Sequence, residues 1–128
     1  MSQWVVSAEE DYRNAEYGLT LGENCPVGMV CFHGQQCVEK YLKALLACRS
    51  LPIPEDRDLS VLYHLVLSSG GPELSEEWLA TLSRYAAEPA YPDVISRQEA
   101  EYAFHIARAI RLMLRGKLAR IAGQGKVS

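Results

Sequence analysis

Hydrophobic residues recur at helical spacing along most of the chain, and no segment alternates as a β-strand would. From about Trp4, the apolar positions Val5, Ala8, Tyr12 and Ala15 fall on one face of a helix. The segment YGLTLGENCPVG then interrupts the pattern with three glycines and a proline. The pattern predicts a first helix that ends at this break.

A second helix, from about Val27 to Arg49, has two faces of different character. Its predicted apolar face consists of Cys31, Gly34, Gln35, Val38, Tyr41, Leu42, Leu45, Leu46 and Cys48. Because Gln35 lies within this face, we expect its amide to be buried and hydrogen-bonded. Gln36, Lys40 and Lys43 fall on the opposite side, where they form a polar stripe.

Three further helices follow, separated by segments rich in proline and glycine. The predicted amino-terminal caps are Asp56 or Asp58 for the third helix, Ser75 for the fourth and Ser96 for the last. The predicted apolar positions of the third helix are Leu59, Leu62, Leu65 and Val66. Ser96 and Glu99 have the spacing of a capping box, and the last helix is predicted to end near Leu118.

These elements predict an all-α protein, an antiparallel bundle of about five helices with a four-helix up-and-down core. A chain of 128 residues suits one domain. We assign residues 1–120 to the bundle. Residues 121–128, which include the sequence AGQGKVS from 122, are predicted to be a flexible tail.

Charge and cysteine usage narrow the class of protein. The net charge of −3 and the pI of about 5.6 mean that nucleic-acid binding would need a local basic patch. No apolar run or leader pattern is present, so we expect a cytoplasmic protein without membrane contact. The four cysteines form no CxxC pair, and His33 with Cys37 supplies only two metal ligands. We therefore predict reduced thiols, no metal and no cofactor.

Several motifs resemble those of one family. The stretch FHGQQCVEKYLKALL, Asp11 in the first helix, Asp58-Leu59 and the loop Ala90–Asp93 together resemble the HEPN domain family. The resemblance covers roughly residues 4–118 and implies a small helical bundle. Two positions depart from the family pattern, because Arg57 replaces a histidine and Ala90 replaces an arginine.

The resemblance implies two functional kinds. Some HEPN domains are metal-independent RNases with an arginine, four to six residues and then a histidine; others are non-catalytic companions of minimal nucleotidyltransferases. The candidates here, Arg97 and His105, have seven residues between them and lie about 12 Å apart along a helix. The alternative interpretation of His105 is a half-exposed histidine held between Glu101 and Arg108. We therefore assign no catalytic residue.

Two basic surfaces are candidates for binding nucleotide or another anion. The candidate residues are Gln36, Lys40 and Lys43 on the second helix and Arg108, Arg111 and Arg115 on the last. If the two surfaces flank one groove, they suit a phosphate or an acidic partner. The alternative is a solvated face with an ordinary Glu39–Lys43 pair. If they bind an anion, replacing Lys40 and Lys43 by alanine is predicted to reduce binding without unfolding the bundle, because surface changes usually cost under about 0.5 kcal/mol.

The sequence and the resemblance together favour a nucleotide-associated, non-catalytic partner of a separately encoded minimal nucleotidyltransferase, in a toxin–antitoxin-like pair. We also predict a homodimer, with Phe32, Trp78 and Tyr91 as candidates for the contact. The alternatives are an RNase toxin that cleaves RNA with His105 and Arg97, and a plain helical interaction module.

Overall fold

The computed structural model describes residues 2–87 and 94–127, with side chains described as far as residue 123. Its helices are α1 (Gln3–Leu19), α2 (Val27–Cys48), α3 (Leu59–Ser68), α4 (Glu76–Ser83) and α5 (Arg97–Val127), with a 3-10 turn at Gly22–Asn24. No strand occurs in these ranges, which confirms the predicted all-α class. No helix within them combines the length and the apolar character that a membrane span requires.

Short polar side chains begin three of the first four helices. Ser2 accepts hydrogen bonds from the backbone N–H groups of Trp4 and Val5 at the start of α1. Asp58, rather than Asp56, caps α3 by accepting from the N–H of Ser60. Ser75 caps α4 as predicted. For α2, Pro26 precedes the first turn and contributes no side-chain cap.

The capping box predicted for α5 forms only in part. The Ser96 hydroxyl accepts from the backbone N–H of Glu99 at 3.0 Å. The Glu99 carboxylate does not complete the box and instead accepts a hydrogen bond from the Tyr85 hydroxyl. Through this hydrogen bond, Glu99 connects α5 to the segment that follows α4. The pKa of the Tyr85 phenol is raised, mainly by burial.

α2 is the central helix of the bundle. It packs against each of the other four helices, and its buried residues include Val38, Leu42 and Leu45. Cys31 and Cys37 are fully buried free thiols within the same core. Because α2 has neighbours on several sides, it buries much more than the single arc that its hydrophobic residues define.

The end of α5 and the exposure of one α3 residue differ from the predictions. α5 continues to Val127 instead of ending near Leu118, and Leu118 and Ile121 still pack against the core. The division into a bundle over 1–120 and a flexible tail stays a prediction. On α3, Leu65 is 42% exposed although its position predicted burial. This short helix is covered by α2 and α4 on one side only.

Gly18 lies where α1 approaches the start of α2. A Cβ atom at this position would lie 2.8 Å from the γ2 methyl of Val30, a buried β-branched side chain. We expect Gly18→Ala to destabilise the protein by about 1 to 3 kcal/mol, because the crowding outweighs the better helix propensity of alanine. Urea unfolding followed by circular dichroism measures this change.

Gly116→Ala is the matched control. Gly116 is also helical, and its nearest neighbour is the mobile end of the Arg120 side chain at 3.8 Å. This change should stabilise the protein by up to about 1 kcal/mol. If both variants gain stability, the close approach of α1 and α2 at Gly18 is not as described.

Candidate functional site

A buried polar network occupies the middle of α2. The side chain of Gln35 donates to a Glu39 carboxylate oxygen at 3.1 Å and to the backbone carbonyl of Arg57 at 3.3 Å. Gln36 donates to the Gln35 amide oxygen at 2.7 Å. Lys43 donates to the second Glu39 oxygen at 3.1 Å. The predicted burial and hydrogen bonding of Gln35 are confirmed.

Most of the polar stripe of α2 is buried rather than exposed on the surface of the bundle. Gln36 is 5% exposed, Glu39 4% and Lys43 7%. The ammonium of Lys43 lies 5.4 Å from the centre of the Trp4 ring, so α1 covers this side of α2. Each polar side chain of the network has a partner, and the surface location predicted for Gln36 and Lys43 is therefore wrong.

Asp11 is the centre of a second cluster, between α1 and α2. Its carboxylate contacts His33 Nδ1 at 2.7 Å and accepts from Lys40 Nζ at 2.7 Å. Lys40 also donates to the Ser7 hydroxyl. Contact of one imidazole nitrogen with a carboxylate orients the ring and leaves Nε2 for other contacts. The His33 side chain is 20% exposed, so the cluster reaches the surface at this residue.

A third cluster joins α1 to α2 and α5 through Glu9. Arg111 donates two hydrogen bonds of 2.7 Å to the Glu9 carboxylate, one to each oxygen. Arg115 and the Tyr41 hydroxyl donate to the same group. The Arg111 guanidinium is the main cause that lowers the Glu9 pKa to about 2. Arg111 also stacks on the Tyr12 ring, at 3.9 Å from its centre.

The candidate cations therefore have separate carboxylate partners. Lys40 pairs with Asp11, Lys43 with Glu39, and Arg111 and Arg115 with Glu9. Within the described residues, no carboxylate joins a lysine of α2 to an arginine of α5, so these contacts do not assemble the predicted common groove. Arg108 differs from the others, since it is exposed and forms no ion pair within residues 2–87 and 94–123. Anion binding by any of these residues stays a prediction.

The two RNase candidates have different surroundings. Arg97 donates to the Leu19 carbonyl at 2.8 Å and the Gly22 carbonyl at 3.3 Å, and it pairs with Glu101. It therefore fixes the start of α5 to the end of α1. His105 is exposed and packs edge-on against Trp78, with ring centres 5.9 Å apart. Glu101 is thus the partner of Arg97, rather than of His105 as the spacing suggested.

The remaining positions named from the sequence have simpler environments. Arg57, at the histidine position of the family pattern, donates to the Ala86 carbonyl at 2.9 Å. The loop Ala90–Asp93 and the dimer candidate Tyr91 lie outside the described residues. The other two dimer candidates, Phe32 and Trp78, are partly buried.

The described residues contain no group of three or more histidine, cysteine or acidic side chains placed to hold a metal.

Burial raises the pKa of the Cys31 thiol to about 12, so this cysteine stays protonated at neutral pH. His64 pairs with Glu76 at the surface and is largely exposed.

Comparisons with known proteins agree with the architecture. The model of the family described as HEPN domain matches residues 1–117. A crystal structure of an archaeal HEPN homologue superimposes with a TM-score of 0.69 at 21% identity, over 89% of this chain and 93% of the other. A protein from Thermus thermophilus has the same TM-score at 26% identity, over 89% and 94% of the two chains. No curated protein matches the sequence.

Proposed function

Since this chain belongs to the HEPN domain family, we propose that it is a non-catalytic partner protein that binds a minimal nucleotidyltransferase in a nucleotide-associated complex. The observation that carries the proposal is the placement of the two residues that would cleave RNA. Arg97 is engaged by backbone carbonyls at the end of α1, and His105 packs on Trp78. A base and a cation that act on one phosphate need to converge, and these two residues have separate contacts.

Exposed apolar side chains support a protein partner. Leu112 is 60% exposed and Met113 42% on α5, and Val61 and Leu65 are 40% and 42% exposed on α3. Neighbouring exposed apolar residues commonly belong to protein contacts. The same property supports the proposal that the free chain is a homodimer.

Size-exclusion chromatography with light scattering tests both the homodimer and the complex with the nucleotidyltransferase. We expect the chain alone to have about twice its monomer mass of 14.3 kDa. After co-expression with a nucleotidyltransferase encoded in the adjacent reading frame, the two proteins should elute together, and the complex should weaken as salt rises. Leu112→Glu should reduce co-elution, whereas Tyr17→Glu, at an exposed aromatic residue of α1, is the control. Separate elution at low salt would favour the plain interaction module.

The RNase is the second candidate, and one observation favours it. The Asp11–His33 contact orients an imidazole that is partly accessible, as a general base requires. We nevertheless expect the purified protein to leave single-stranded RNA intact in the presence of a chelator, because the cation beside His33, Lys40, is already bound to Asp11. Gel electrophoresis of a labelled RNA measures cleavage. Cleavage that is lost in His33→Ala or His105→Ala, with an unchanged melting temperature, would establish the RNase instead.

A further inference from the structure

An open cleft lies between the amino end of α1, the second half of α2 and the last turns of α5. Its volume is about 700 Å³. Its lining residues are Ser2, Val5, Tyr41, Ala44, Ala47, Cys48, Arg115, Leu118, Ala119 and Ala122. The polar clusters of Asp11 and Glu39 contribute nothing to this lining, so the cleft is separate from the network in the middle of α2.

The cleft lies beside two helices, α1 and α5, that both pack on α2. The two helices touch through Tyr12 and Phe104, whose rings stack with centres 5.2 Å apart, and through the Glu9–Arg111 pair. Four of the residues that line the cleft are alanines. Ala44 and Ala47 form the floor and Ala119 part of the wall, and none of them fills the space between the helices.

One cation borders this apolar space. Within the described part of the chain, Glu9 is the carboxylate that Arg111 and Arg115 share, and Arg111 already occupies both of its oxygens. The cluster therefore has one positive charge in excess. Arg115 carries the more accessible guanidinium, since its side chain is 49% exposed and that of Arg111 14%. Its Nη1 donates to Glu9, and a guanidinium has five N–H donors, so further donors remain for a ligand.

We propose that this cleft binds a small anionic amphiphile, a carboxylic acid with an apolar body, whose carboxylate pairs with Arg115. Ligand sites between helices are typically of 300 to 1,000 Å³, with apolar walls and a few polar groups that fix the orientation. The apolar body would lie on Ala44, Ala47 and Ala119. An anionic head group adds a charge-assisted hydrogen bond that a neutral or cationic head group cannot make. This proposal does not depend on the nucleotidyltransferase partner.

Displacement of anilinonaphthalene sulfonate, a fluorescent anionic probe, tests the proposal with decanoate and decanol as competitors. We expect decanoate to bind saturably, with one molecule per chain. Arg115→Gln should weaken decanoate about tenfold and change decanol by less than about twofold. Arg108→Gln, on the same helix and outside the cleft, is the control for charge. If the two variants behave alike, or if decanol loses as much affinity as decanoate, Arg115 is not the head-group partner and the proposal is wrong.

The second experiment fills the cleft with a larger side chain. Ala119→Leu places extra volume in the cleft, whereas Ala80→Leu adds the same volume at an exposed position of α4. Only Ala119→Leu should weaken both competitors, by about tenfold or more. Equal binding by both leucine variants would overturn the proposal. So would an absence of saturable binding combined with a change of oligomeric state in Ala119→Leu, which would mark the cleft as an interface between copies.

Protection of cysteines from a maleimide locates the bound ligand independently of the affinity measurements. Cys48 is exposed and lines the cleft, whereas Cys25 is partly buried near the start of α2. Decanoate should slow the reaction of Cys48 with a maleimide and leave that of Cys25 unchanged. Protection of neither cysteine, or of both to the same extent, would show that decanoate binds elsewhere.

Discussion

Lys43→Met is expected to destabilise the protein by about 3 to 5 kcal/mol, because it breaks a buried ion pair by removing one partner. Among the described residues, Lys43 supplies the ammonium that contacts Glu39, whose side chain is 5% exposed. Removing it leaves a buried carboxylate without a counter-charge, while the two glutamine amides continue to donate to it. Urea unfolding at neutral pH measures the loss.

The matched variants separate the charge from the shape of the side chain. Glu39→Gln combined with Lys43→Met removes both charges and should recover most of the stability that the single change removes. Lys40→Met should cost less, because the Lys40 side chain is 21% exposed and His33 remains beside Asp11. A Lys43→Met protein as stable as the parent would mean that water or protonation satisfies Glu39 without the ammonium.

Stability should fall by about 2 to 3 kcal/mol between pH 5 and pH 2 because of Glu9 alone. The folded protein lowers the Glu9 pKa from 4.5 to about 2, with the hydrogen bonds from Arg111 as the main cause. A carboxyl group with a lowered pKa stabilises the fold fully above its unfolded pKa, and this contribution is lost as pH falls toward the folded value. Melting temperatures recorded at intervals across this range measure the effect.

Glu9→Gln should flatten this part of the pH profile and lower stability at pH 7, since Arg111 would lose its carboxylate. Glu10→Gln is the control, because Glu10 is exposed on the same helix and should leave the profile unchanged. If the Glu9→Gln profile falls as steeply as that of the parent, other acidic groups are responsible and the Glu9 cluster contributes little.

The helices and their caps are predictable because their signals are local. Asp58 and Ser75 act within their own first turns, so a few residues of sequence contain the whole interaction. The burial of Gln35 is predictable for a similar reason, since it lies inside a continuous apolar arc. The end of α5 is not, because the glycines beyond Leu118 indicate a stop while Ile121 continues the packing.

The polar contacts are not predictable, because they depend on which helices become neighbours. The angular position of Lys43 on α2 is correct, but the Trp4 side chain covers it from α1. Glu9 and Arg111 are 102 residues apart, and no local pattern relates them. Consequently we expect replacing Lys40 and Lys43 to cost more than about 0.5 kcal/mol, since that value treats two paired lysines as solvated.

The network in the middle of α2 also affects how the sequences of relatives should be compared. Gln35, Gln36, Glu39 and Lys43 satisfy one another inside the fold, so a substitution at one of them creates an unpaired buried group unless another changes with it. We expect these four positions to vary together in an alignment of HEPN sequences, whatever each protein does. The motif that identifies the family would then be a signature of folding, inherited by proteins with unrelated activities. The residues that distinguish relatives with different activities would then lie elsewhere, beside the cleft at Arg115 and on the exposed sides of α3 and α5.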